Sequence, residues 1–184
     1  MSKFFTELSD DLIRFIGDQH LFFTATAPQK GRINLSPKGM DTFRCFGPNQ
    51  VGYLDLTGSG NETSAHLQEN PRITLMMCSF GQVPMILRLY GKGRVVLPRD
   101  ADWNSLMGKF DDCPGARQII LVDIESVQTS CGYAVPMYEF KEERQGLRRW
   151  AEHKGPRELE AYRREKNAVS IDGLPSRAFD DTTV

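Results

Sequence analysis

The chain has 184 residues, of which 40% are hydrophobic, 10% aromatic and 26% charged. That length and apolar content can bury a core without disulfides or metal clips, and they exclude collagen-like, wholly disordered and disulfide-scaffold classes. With 23 Lys+Arg against 24 Asp+Glu the formal charge is -1, so no global field points to nucleic acid or acidic lipid.

The N-terminal residues lack the basic start, the uninterrupted apolar stretch and the small-residue cleavage site of a signal peptide, and Glu7, Asp10 and Asp11 come early. The longest apolar runs, such as residues 119–122, are too short to span a bilayer. The four cysteines, Cys45, Cys78, Cys113 and Cys131, form no Cys-x-x-Cys pair and have no His at zinc-ligand spacing. The expectation is a cytoplasmic protein with reduced thiols, no metal site and no membrane segment.

Leu8, Leu12, Phe15 and Ile16 fall on one helical face and predict a helix over 5–18. Residues 21–26 are β-rich, Pro28–Gly31 reads as a turn, and 32–36 alternate polar and apolar like a half-buried strand. Residues 42–46 alternate again, Gly47-Pro-Asn-Gln50 turns, and 51–56 make another strand. Such short turns imply antiparallel hairpins, because parallel pairing needs long crossovers. A helix over 60–69 ends at Asn70-Pro71.

Residues 73–78 and 85–97 read as strands, with Gly91 and Gly93 marking a bulge or bend. Asp100 caps a short predicted helix over 101–110, and 117–127 is the last long strand. Six or seven closely spaced strands favour a small antiparallel barrel. Beyond residue 139, mixed charge with Leu147, Trp150, Ala151, Leu159 and Tyr162 at helical spacing predicts one or two helices broken near Gly155-Pro156. One domain over 1–170 with a flexible tail over 171–184 is the expected organisation.

Two segments could carry chemistry. In Tyr53–Leu67 a strand runs through Thr57-Gly-Ser-Gly-Asn-Glu-Thr63 into a helix. Ser59 and Glu62 have capping-box spacing, which would start that helix at Gly60. A helix N-terminus offers unpaired N–H groups and partial positive charge, suited to a phosphate, and Ser59, Asn61 and Thr63 add neutral donors. A capped helix with no ligand explains the same residues. In Arg32-Ile-Asn-Leu-Ser-Pro-Lys-Gly39 the alternation puts Arg32, Asn34 and Ser36 on one face, with Arg32 and Lys38 as cations. A polar strand and turn is the alternative there; on adjacent hairpins the two segments together suggest a shared anion site.

These segments, followed by His66-Leu-Gln-Glu-Asn-Pro-Arg72, Leu89-Tyr-Gly-Lys-Gly-Arg-Val-Val96 and Val127–Pro136, resemble the pyridoxamine 5′-phosphate oxidase-like flavin-binding split barrels over about residues 10–165. The resemblance implies a mainly β fold, a six-stranded antiparallel split β-barrel with flanking helices, assembled as a homodimer with FMN at the interface. Carried over by position, Asn34, Ser36, Lys38, Thr57, Ser59, Asn61 and Thr63 become cofactor contacts, joined by Arg32. The oxidases proper carry basic residues where this chain has Asn61, Glu62 and Thr63, and they end in an Arg-Leu-x-Pro-like motif that is absent from Ser176–Val184. The implied activity is therefore electron transfer from NADH or NADPH through FMN to an unknown small acceptor, not vitamin B6 oxidation. The alternatives are a non-catalytic carrier or sensor holding flavin or haem, and a deazaflavin in place of FMN.

No histidine has a Ser or Cys partner at a recognisable spacing, so the catalytic residues stay unassigned. His66 reads as a surface residue, Cys131 as packed, and Tyr133 and Trp150 as core.

Overall fold

The structure is a computed structural model that describes residues 2–179. It is mainly β and antiparallel throughout, with flanking helices. The strands are β1 (Lys3–Phe5), β2 (Phe22–Thr26), β3 (Asn34–Lys38), β4 (Phe43–Gly47), β5 (Gln50–Leu56), β6 (Arg72–Cys78), β7 (Met85–Val96) and β8 (Ala116–Cys131). The order β3-β2-β6-β7-β8-β5-β4 leaves β3 and β4 at the ends, and β1 adds to β8 off this path.

Among the described residues, eight strands replace the six implied by the resemblance. One addition is β1, which pairs Lys3–Phe5 with Thr129–Val127. Phe4 and Phe5 therefore lie in a strand, and the first helix, α1 (Asp10–Gly17), is shorter than the predicted 5–18. Its start is set by Ser9, whose hydroxyl accepts the Leu12 N–H at 3.4 Å.

β7 and β8 form the spine, and alternation along β8 places its side chains in two apolar layers. Ile120 and Val122 pack with Leu75, Leu87, Leu89 and Tyr53, whereas Ile119 and Leu121 pack with Leu54, Val96 and Phe110. A strand buried on both faces reads as the continuous apolar run seen at 119–122. Each such side chain contributes roughly 1.5–3 kcal/mol by leaving water. The β7–β8 register shifts between Tyr90 and Gly91, where the sequence predicted a bulge. A Cβ at Gly91 would stand 2.1 Å from the Asp123 carbonyl oxygen, so the bend requires glycine.

The remaining helices are α2 (Glu62–Glu69), α3 (Trp103–Met107) and α4 (Gly146–Lys166). α4 breaks at Gly155 (φ 67°) before Pro156, as expected. Asp100 does not cap α3. Its carboxylate accepts the Leu97 N–H at 2.8 Å and pairs with Arg177.

The expected flexible tail is tied down through residue 179. The Ile171 N–H donates to Glu62, the Ser176 hydroxyl donates to the Asn167 carbonyl at 2.7 Å, and Arg177 holds Asp100. The rest of that tail, 180–184, lies outside the described residues. Among the described residues, no helix is long and apolar enough to cross a membrane.

Candidate functional site

The β2–β3 hairpin sets one wall of the site. Its register pairs Thr26 with Asn34, Thr24 with Ser36 and Phe22 with Lys38, so Asn34, Ser36 and Lys38 share a half-buried face. β5, paired with β4 and β8 and joined to the hairpin by the Lys38–Asp55 ion pair, ends in the loop Thr57–Asn61, which feeds α2. The end of α4 and the residues after it, Lys166 and Val169–Ile171, form the opposite wall. Together they enclose an open cavity of about 820 Å³.

A buried ionic cluster makes the floor. The Asp55 carboxylate accepts from Lys38 Nζ, Arg117 Nε and Gln118 Nε2, each at 2.8 Å. Burial alone would raise the Asp55 carboxyl, but Arg117, Lys38 and their hydrogen bonds outweigh it and hold the group well below the ordinary carboxylate range. For Lys38, burial works downward and Asp55 upward; the carboxylate wins, so the ammonium stays charged. Two cations on one carboxylate leave an excess positive charge where Lys38, Asp55 and Arg117 line the cavity.

The cluster also shapes the loop. Gln118 Nε2 donates to Asn61 Oδ1 at 2.7 Å, Arg117 reaches Asn167 Oδ1 at 2.8 Å, and Asn167 Nδ2 holds the Gly58 carbonyl at 3.0 Å. With Asn61 fixed, α2 begins at Glu62 and not at Gly60, and the predicted Ser59–Glu62 capping box does not form. The Glu62 carboxylate accepts the Ile171 N–H instead, at 3.1 and 3.2 Å from its two oxygens. The N–H groups of Gly58 through Ser64 donate to no described residue. They are the orphan donors expected where a strand turns into a helix.

Of the residues singled out in the sequence, Arg32, Asn34, Ser36, Lys38, Ser59 and Thr63 line the cavity. Asn34 donates to Thr63 Oγ1 at 3.2 Å, and Ser36 to Asn34 Oδ1 at 2.9 Å. Arg32 sits at the rim, paired with Asp172, which also accepts the Arg32 N–H at 2.7 Å. Thr57 and Asn61 are not on the cavity wall. The Thr57 hydroxyl donates to the Gly115 carbonyl and accepts from Arg163 Nε, both at 2.8 Å, while Asn61 is buried in the ionic cluster.

Sequence reasoning missed Asp55, Arg117, Gln118 and Asn167. A carboxylate inside the apolar strand Tyr53-Leu-Asp-Leu was the available signal, since an unpaired charge there would be very costly. His66, expected at the surface, is 1% exposed. Its Nδ1 meets Thr26 Oγ1 at 3.0 Å, and its Nε2 is buried without a hydrogen-bond partner at the cavity edge. Cys131, expected to be packed, is exposed at the end of β8. Tyr133, expected in the core, is 84% exposed, and Trp150 packs edge-on to Tyr162 with centroids 5.1 Å apart. No group of three or more metal-ligating side chains occurs among the described residues.

The family model for pyridoxamine 5′-phosphate oxidase matches residues 8–131. The chain belongs to the pyridoxamine 5′-phosphate oxidase family. Within that family it is 41% identical, over 194 aligned positions, to the pyridoxamine 5′-phosphate oxidase family protein ustO of Aspergillus flavus, covering 95% of this chain and 78% of the relative. Two solved structures share the family fold. A HupZ variant from Group A Streptococcus superposes with a TM-score of 0.54 at 16% identity, over 66% of this chain and 98% of the other. A Lactobacillus delbrueckii protein provisionally named a pyridoxamine 5′-phosphate oxidase gives 0.53 at 15% identity, over 67% and 94%. At such identity the two structures speak for the fold alone.

Proposed function

We propose that this family member binds FMN in the cavity between β3, the 57–61 loop and α2, and acts as an oxidoreductase in homodimeric form. The observation that carries this reading is the pairing of the orphan N–H groups of Gly58–Ser64 with the positive excess over Asp55, since a phosphate monoester needs both. The residues fit the cofactor: the volume lies in the ~300–1,000 Å³ range of cofactor sites, and the lining mixes donors with cations.

Asn34 and Ser36 would orient the cofactor along β3, Lys38 would place a cation beside it, and Ser59 and Thr63 would serve the phosphate end. Thr57 and Asn61 act indirectly by fixing the loop backbone, and Arg32 joins the site only by leaving Asp172. The redox chemistry would be the flavin's own, with hydride from a reduced nicotinamide and electrons passed to a small acceptor. The dimer is supported by the apolar rim: Ile33, Leu35 and Ile171 are 76%, 65% and 70% exposed beside the cavity, where a second chain would cover them.

The test is the visible spectrum and extracted cofactor of the purified protein, with its sedimentation mass. Bound FMN on a dimer, reduced by NADH or NADPH, is expected; no FMN uptake on reconstitution would sink the reading. FMN that neither nicotinamide reduces would mark a carrier or sensor, and a haem or deazaflavin in the extract would replace the cofactor assignment. Ser59→Asp should weaken FMN binding by adding charge beside the phosphate.

A further inference from the structure

We infer that His66 and Glu62 form a hydroxyl-binding subsite in the cavity, which takes a hydroxyl of the flavin's ribityl chain; this rests on the flavin reading above. The Thr26 hydroxyl is buried, and its single hydrogen has only His66 Nδ1 as a described partner, at 3.0 Å. Donation from Thr26 to Nδ1 satisfies both atoms and places the ring hydrogen on Nε2. The opposite tautomer would strand the Thr26 hydrogen and the Nε2 lone pair together. A doubly protonated ring carries a hydrogen on Nε2 as well.

That N–H is buried at the cavity edge with no acceptor. Glu62 Oε2 is 3.9 Å away, too far for a direct hydrogen bond. The carboxylate is held in place by the Ile171 N–H. An anionic ligand group here would meet Glu62 and the nearby Asp172 and be repelled. A hydroxyl oxygen suits the gap: it accepts from Nε2–H and donates to the carboxylate. Placed about 2.8 Å from each atom, it would subtend close to a right angle between them. A polyol chain supplies that group.

The experiment titrates FMN and lumiflavin, which lacks the ribityl chain, into the wild type, His66→Phe and His66→Gln by fluorescence quenching. His66→Phe should lose about tenfold in FMN affinity with lumiflavin affinity unchanged, whereas His66→Gln, which keeps a donor, should stay within about threefold of the wild type. Nitrogen-15 spectra of the ligand-free wild type should show His66 Nε2 protonated. Equal loss of both ligands in His66→Phe would make the residue merely structural, and unchanged FMN affinity or an unprotonated Nε2 would equally overturn the subsite. A wild type that takes up neither ligand would instead overturn the flavin reading, and the subsite with it.

Discussion

Replacing Asp55 by Asn removes the one carboxylate that two cations share. Asp55 presents two oxygens to three donors, Lys38, Arg117 and Gln118, each at 2.8 Å, and it is 2% exposed. Asn offers one acceptor oxygen and one NH2, so at least one donor must face another donor. The better orientation keeps the oxygen on Arg117 and Gln118 and turns the NH2 toward Lys38, which can swing into the cavity. Breaking a buried ion pair from one side costs about 3–5 kcal/mol, because the remaining charges lose their compensation. With a urea slope of about 2–3 kcal/mol/M, the midpoint should fall by roughly 1–2.5 M at unchanged slope. Adding Lys38→Met to Asp55→Asn should recover part of that loss. Acid provides a second signature. The folded Asp55 carboxyl lies below its unfolded value of about 3.9, so its stabilisation is complete above that value and fades as pH falls toward the folded one. The wild type should therefore lose stability in acid more steeply than Asp55→Asn. A midpoint shift under about 0.3 M urea, with parallel acid profiles, would refute the desolvated cluster.

Gly91→Ala should cost about 3 kcal/mol or more in a thermal melt, because the new Cβ would press on the backbone oxygen of Asp123 and neither strand can yield. Alkylation followed by mass spectrometry at about pH 8 should modify exposed Cys131 well before Cys45, since burial pushes the Cys45 thiol up to about 11 and thiolate is the reactive form. Arg177→Ala should release residues 170–179 by breaking the contact with Asp100, seen as faster amide exchange and proteolysis there, with a global stability loss of only about 1 kcal/mol.

The antiparallel architecture was legible because period-two alternation and short turns are local signals. The hairpin 22–38, the bulge at Gly91 and the break at Gly155 all follow from residues within a few positions of one another. β1 was not legible, because three residues carry no period and Lys3–Phe5 becomes a strand only by meeting β8 more than a hundred residues later. The burial of His66 was hidden for a different reason. Thr63, Ser64, Ala65, His66 and Leu67 are all buried, since α2 lies between the sheet and the C-terminal segment. A helix covered on two sides shows no amphipathic stripe, and its polar residues read as solvent-facing.

The candidate site shows the same division between local and distant information. Alternation placed Arg32, Asn34 and Ser36 on one face, with Lys38 as a second cation, but it could not show which of these residues the protein already occupies. Lys38 read as a cation free for a ligand; it meets Asp55, 17 residues away, which in turn meets Arg117 a further 62 residues along. Arg32 likewise read as free and meets Asp172, 140 residues away. Neither cation alone is then the source of positive charge at the site. That charge is the difference between Lys38 and Arg117 on one side and Asp55 on the other, and it exists only because β3, β5 and β8 converge on one buried carboxylate.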